Sequence, residues 1–256
     1  MKTKIYLDYN IFVNYLKGIE TYNNLDDFKN HYSFFYGPPY LEEVVNINLT
    51  HKQKEIDRYI TGMNKLFEKN VFLPVLDGDI IAYKKDANEV YNNVVGNLEA
   101  TELAESIEYH QMSAFKEMQK EFSFDSAVMS NELPNQIFYH SKVQSYLDYI
   151  NIHAIDFLIY RLPMENAYFY LSSHRKTERL ISTLFNVLES IGYRGEKMKK
   201  TVSRLHDVSH AIYASKADIF VTADARFAAK CEAVYDYAGV PTKVISYEEF
   251  LHLDIR

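Results

Sequence analysis

His206–Phe227, HDVSHAIYASKADIFVTADARF, is the stretch from which the fold is read. Leu205, Val208, Ala211 and Ile212 recur at near-helical spacing and give its first half an apolar helix face. Asp218-Ile219-Phe220-Val221-Thr222 is a short, β-rich apolar run, the pattern of a strand buried on both sides in a parallel sheet. Asp224 follows at once and precedes Ala225–Tyr237, a good helix former. A helix, a buried strand and a second helix in this order predict an α/β protein. Carboxylates just past strand ends stand where open α/β sheets place their ligands. The stretch therefore predicts half of a site, and the other half lies upstream.

Working outward, Lys4–Leu7 is the first candidate strand, with Asp8 at its end. Ile11, Phe12, Tyr15 and Leu16 then repeat at helical spacing, and Gly18 is the expected stop. Asn23–Asn30 reads as a polar connection. Tyr32–Tyr36 is a second strand closed by Gly37-Pro38-Pro39, and Leu41, Val44, Val45 and Leu49 stripe the next helix. Lys52–Lys69 is strongly amphipathic through Ile56, Tyr59, Ile60, Met63 and Phe67. Val71–Leu76 predicts a third strand, then a turn at Asp77-Gly78-Asp79. From about 86 to 200 the pattern is helical throughout: Val94, Val95 and Leu98; Met112, Phe115 and Met118; Val143, Leu147, Ile150, Ala154 and Phe157; Ile181, Leu184, Leu188 and Ile191. Thr242–Ser246 is the last strand and Tyr247–Leu253 a closing helix.

The 256 residues suffice for one large core or somewhat more. Glycine (8) and proline (6) are scarce, which favours long helices over an all-β or disordered chain. Lys plus Arg number 28 against 35 Asp plus Glu, a net charge of −7, so no global basic field marks a nucleic-acid binder. A local basic rim over an acidic metal site escapes that exclusion. The single Cys231 forbids an internal disulfide and fits a reducing compartment. Met1–Lys4 lacks a signal-peptide core, and Ile155–Tyr160, interrupted by Asp156, is far short of a membrane span. A soluble, cytoplasmic protein is expected.

Four acids hold comparable places: Asp8 after the first strand, Glu43 (or Glu42) on the helix after the second, Asp207 on the helix before 219–222, and Asp224 after it. In a parallel sheet the C-terminal strand ends share one edge, so acids distant in sequence can meet there. Carboxylates brought together require a counter-charge, usually a divalent cation. Oxygen-only ligands favour Mg²⁺ or Mn²⁺, and two such ions can clamp the attacking and leaving oxygens of a phosphodiester. Each acid singly also has a bland role. Asp8 and Asp224 stand where N-caps belong, Asp207 suits an exposed helix position, and Glu42-Glu43 suits a first helical turn.

At these residues the chain resembles the PIN-like nucleases. The resembling pieces are IYLDYNIF (5–12), YLEEVV (40–45), and Asp207 to Phe250 with VTADARF and VPTKVISYEEF. Asp8 and Asn10 match the acid and the small polar residue two positions on. Leu41-Glu42-Glu43-Val44 selects Glu43, which lies opposite the Leu41/Val44/Val45 stripe on a helical wheel. Asp207-Val208-Ser209-His210-Ala211 matches an acid opening a helix of small residues, and Thr222-Ala223-Asp224 with Phe227 matches the final strand end. The resemblance implies a PIN-like three-layer fold with a central, mostly parallel sheet. The nuclease core would be 1–85 and 205–256, and a large helical insertion at 86–204 exceeds compact members of the family. It implies Mg²⁺- or Mn²⁺-dependent hydrolysis of phosphodiesters, most often in RNA, hence an endoribonuclease. Asp8, Glu43, Asp207 and Asp224 would be catalytic and hold the metal, while Asn10 and Thr222 orient them.

Two basic clusters, Arg175/Lys176/Arg179 and Arg194/Lys197/Lys199/Lys200/Arg204, suit either a phosphate backbone or plain solvation. The partner expected is RNA, or single-stranded DNA stacking on some of the 22 tyrosines, most of which are expected in the core. Lid, dimer interface and platform for an inhibitor or partner protein are all open roles for the helical block. A PIN-like scaffold that binds RNA or protein without cutting is the rival reading. His206 and His210 are one helical turn apart, a metal-binding spacing, and His206-Asp207 matches the HD phosphohydrolase dyad, a third reading. That family is all-helical, which the strand at 219–222 opposes. Glycines are too scattered for a nucleotide loop, and Cys231 is expected in the core.

Overall fold

The structure is a computed structural model that describes residues 2–45, 52–96, 122–152, 164–195 and 201–253, with backbone alone for 52 and 201–205. In chain order the elements are β1 (Thr3–Leu7), α1 (Tyr9–Leu16), α2 (Leu25–Phe28), β2 (Tyr32–Phe35), α3 (Pro38–Val45), α4 (Lys52–Phe67), β3 (Asn70–Pro74), β4 (Ile80–Lys84) and α5 (Ala87–Val95). There follow α6 (Ser126–Met129), α7 (Pro134–Ile137), α8 (Ser141–Ile152), α9 (His174–Ser190), α10 (Thr201–Ala214), β5 (Ile219–Thr222), α11 (Ala225–Ala238), β6 (Lys243–Ser246) and α12 (Tyr247–Leu251). The chain divides into two units, one of residues 1–98, 213–225 and 242–256, the other of 99–212 and 226–241. Leu49, Leu98, Met112, Phe115, Met118, Ala154 and Phe157 lie outside the described residues.

The first unit is α/β, built on a four-stranded sheet of order β2-β1-β5-β6. Every pairing in it is parallel, with Tyr6 opposite Phe35 and Phe220, and Val221 opposite Ile245. Ile5, Tyr6, Leu7, Phe220 and Val221 are completely buried, as runs covered on both faces must be. All four strands end at the same edge. α1 stops where expected: Gly18 takes the left-handed φ of 69°, and Ile19 N–H reaches back to Asn14 O at 3.2 Å, closing a Schellman turn. At the far end, Ser246 and Glu249 form a capping box that starts α12.

One expectation requires correction. The strand expected over 71–76 exists as Asn70–Pro74 but is no member of the main sheet. It pairs antiparallel with β4, a strand absent from the sequence reading, in a separate two-stranded sheet. The bridge between Tyr36 and Val71, the Asn70 amide donating to Phe34 O at 3.3 Å and the stacked Phe35 and Phe72 rings link the two. β4 escapes a periodicity search because Ile80 is buried while Ile81, Ala82, Tyr83 and Lys84 are all exposed, leaving no alternation.

In the second unit the regular structure among the described residues is helical. Val143, Tyr146, Leu147 and Ile150 of α8 are buried, as are Leu180, Ile181, Leu184, Val187 and Leu188 of α9, so both expected stripes face a core. Lys230 is buried against Glu189 in an ion pair. Gly192 has φ 76°, and a Cβ there would stand 2.4 Å from Ser126 Cβ and 3.2 Å from Ser126 Cα. Gly192→Ala therefore incurs about 1–2 kcal/mol for the left-handed backbone and a further ~1–3 kcal/mol for overpacking. Gly18→Ala, with nothing within 4 Å, incurs the backbone cost alone. Denaturant melts should rank Gly192→Ala clearly below Gly18→Ala, and equal losses would contradict the packing account. Among the described residues no helix is long and apolar enough to cross a membrane.

Candidate active site

At the C-terminal edge of the parallel sheet, Asp8 leaves β1 and donates its N–H to Val221 O at 2.8 Å, extending the ladder by one bond. Its backbone takes the N-cap conformation of α1 (φ −67°, ψ 146°), yet its side chain makes no capping hydrogen bond. The carboxylate, 3% exposed, instead accepts the Thr222 hydroxyl at 2.9 Å. Thr222 Oγ1 in turn accepts the Asp224 N–H at 3.1 Å. One buried hydroxyl thus ties the acid after β1 to the backbone of the acid after β5. The capping role offered for Asp8 does not account for its side chain. Asp224 itself is exposed, at the start of α11.

Tyr40 fixes the third component. Its ring is fully buried and its hydroxyl donates to Leu7 O, the carbonyl just before Asp8. It packs edge-on to Tyr6 at 5.9 Å and Tyr9 at 5.4 Å, and lies 5.3 Å from Phe67. Glu43 is three residues further along α3, on the helix side that carries Tyr40, and is half-buried. Burial is the largest cause holding the Tyr6, Tyr9 and Tyr40 hydroxyls neutral well above their usual range. The negative charge of Glu43 adds to it at all three, and that of Asp8 at Tyr6 and Tyr40. Glu42 also contributes at Tyr6, as the smallest cause there. Asp8 and Glu43 therefore share one neighbourhood of buried phenols. The signal that would have singled out Tyr40 is its spacing three residues before Glu43.

The other expected residues are placed as follows. Asn10 is exposed in the first turn of α1. Asp207 and His206 are half-buried on α10, in the second unit, and His210 is buried there. Arg175, Lys176 and Arg179 are exposed in the first turns of α9, and Arg194 is exposed with its guanidinium 5.8 Å from the Tyr193 ring centre. Lys197, Lys199, Lys200 and the Arg204 side chain lie outside the described residues. Cys231 is buried and free. Among the described residues no three or more of His, Cys, Asp and Glu are grouped so as to hold a metal ion. No protein-family model, curated protein or solved structure matches this chain.

Proposed function

We propose that the protein is a metal-dependent nuclease, an endoribonuclease by its resemblance to the PIN-like nucleases, working at the sheet edge around Asp8. The observation that carries this reading is the Asp8 carboxylate. It is 3% exposed, does no capping, and is oriented by a Thr222 hydroxyl that also organises the backbone of Asp224. A carboxylate is costly to charge where it is buried, so a fold that places an acid at a buried strand end has a use for it. The donors fit a hard cation: Asp8, Asp224 and Glu43 offer oxygen alone. Mg²⁺ keeps most of its waters and needs only one or two protein carboxylates, so a ready-made cage of three is not required. Bound there, Mg²⁺ or Mn²⁺ would supply the positive charge that activates water and offsets the phosphodiester. Thr222 holds the Asp8 oxygens in place, and Tyr40 holds the end of β1 from which Asp8 projects.

Purified protein is expected to cut single-stranded RNA in Mn²⁺ or Mg²⁺ and to stop when the metal is chelated. Asp224→Asn is expected to reduce the rate about a hundredfold or more, as removing one well-placed charge does. Asp207, which the sequence pattern adds to the set, is tested by Asp207→Asn in the same assay. Cleavage at the normal rate in chelator, or in both variants, would sink the assignment.

A second reading, a PIN-like scaffold that binds RNA or protein without cutting, is favoured by the absence of a three-acid group among the described residues. Calorimetric titration with Mn²⁺ separates the two, since the scaffold has no carboxylate-dependent site.

A further inference from the structure

We infer that the free edge of β4 is a self-complementary surface through which two copies of this chain pair, joining their hairpins into one four-stranded antiparallel sheet. This surface is independent of the site around Asp8. The Lys85 N–H bonds to Lys69 O at 2.8 Å and Asp79 O accepts the Val75 N–H at 3.0 Å, so the odd-numbered residues of this strand turn their backbone groups toward β3. Alternation then turns those of Ile80, Ala82 and Lys84 outward. Among the described residues β4 has β3 as its only strand neighbour. Of the usual devices against pairing, this short edge has lysine at its C-terminal end alone, at Lys84 and Lys85. It has no proline and no bulge, and it presents Ile81 and Tyr83, 44% and 42% exposed, on one face.

The chemistry selects a second copy running antiparallel. The segment DGDIIAYKK (77–85) carries Asp77 and Asp79 at its start and Lys84 and Lys85 at its end; Asp79 is already ion-paired with Lys216 at 2.8 Å, so Asp77 supplies the charge left at the acidic end. Antiparallel self-pairing sets each acidic end beside the basic end of the other copy, and a parallel arrangement would set like beside like. A two-fold axis at Ala82 satisfies the outward groups. Ala82 exchanges both backbone hydrogen bonds with Ala82 of the second copy, and each Lys84 N–H finds the Ile80 carbonyl opposite. The outward N–H of Ile80 is already held by the Asp79 carboxylate at 2.8 Å, which ends the ladder there. In this register Ile81 lies directly across from Tyr83 of the second copy, twice, a favourable β-branched and aromatic pair. Assembly stops at two, because the outer edge of β3 is already occupied: Phe72 N–H donates to Tyr36 O at 2.9 Å.

Sedimentation velocity of the full chain over a hundredfold concentration range is expected to show a monomer passing to a dimer and no larger species. Ile81→Lys with Tyr83→Lys places like charges directly opposite at both exposed positions and should remain monomeric throughout. Mixing it with Ile81→Glu plus Tyr83→Glu should restore a dimer of mixed composition. Amide exchange of the unsubstituted protein, which needs no variant to fold, should slow at Ala82 and Lys84 as concentration rises. A wild type that stays monomeric overturns the proposal. So does a lysine variant that dimerises like wild type, a mixture that fails to pair, larger oligomers, or exchange at Ala82 that ignores concentration.

Discussion

Replacing Asp8 by asparagine is expected to leave the fold intact, to hold or raise its melting temperature, and to lower metal-dependent RNA cleavage about a thousandfold. The substitution keeps shape and removes charge. An amide oxygen at this position can still accept the Thr222 hydroxyl, which lies 2.9 Å from the carboxylate, and no capping bond is lost because the side chain makes none. What disappears is the charge a carboxylate can carry at a site only 3% exposed, and with it the cost of desolvating that charge. A gain of about 1 kcal/mol would move the melting temperature by only ~2–4 °C in a chain of this size. The loss of activity has a different source. A carboxylate that holds a catalytic cation contributes several kcal/mol to the transition state, and about 4 kcal/mol is roughly a thousandfold in rate.

A readout apart from activity completes the argument. A cation that binds the folded chain at about a hundred times its dissociation constant stabilises it by ~2.7 kcal/mol, so Mn²⁺ should raise the melting temperature of the wild type. Asp8→Asn should abolish most of that rise. Were Asp8 only part of the scaffold, stability and activity would fall together and the Mn²⁺ response would survive. A variant that melts lower than wild type while keeping its Mn²⁺ shift defeats this account of the residue.

The sheet and the candidate site were legible to different depths, for reasons of range. β1, β5 and β6 are short apolar runs, and burial on both faces writes itself into such runs without help from distant residues. The strand at 70–74 was visible as a strand but not by its partner, because pairing is decided by residues remote from the run itself. β4 left no trace, being exposed on both faces over most of its length. Asp8 and Asp224 were identifiable as acids at strand ends. The hydroxyl joining them was not, since Thr222 and Asp8 are 214 residues apart and no local spacing encodes that bond. Tyr40 was lost in the apolar stripe that Leu41 and Val44 define, although its hydroxyl anchors α3 to the end of β1.

Alkaline titration should unfold the first unit abruptly, within about two pH units above pH 10, and the cause is the phenol cluster around Asp8 and Glu43. Tyr6, Tyr9 and Tyr40 are kept protonated in the folded state, first by burial and then by the neighbouring carboxylates and phenols. In the unfolded chain they ionise near pH 10. Above that pH the folded state binds more protons than the unfolded one, so stability falls as pH rises. The contribution is whole below pH 10 and is lost progressively above it. Each such tyrosine removes about 1.4 kcal/mol per pH unit, and three together about 4 kcal/mol, against a total of roughly 5–15 kcal/mol for a typical domain. Tyrosinate absorbance should therefore rise in two phases. Phenols open to solvent supply the gradual phase. The buried set should ionise in a steep step that coincides with loss of far-ultraviolet circular dichroism. Tyr9→Phe removes one titrating group and should flatten the fall in stability by about 1.4 kcal/mol per pH unit without displacing the gradual phase. If all 22 tyrosines ionise in a single gradual phase while the circular dichroism holds, the cluster is open to water and the electrostatics assigned to Asp8 and Glu43 fail with it.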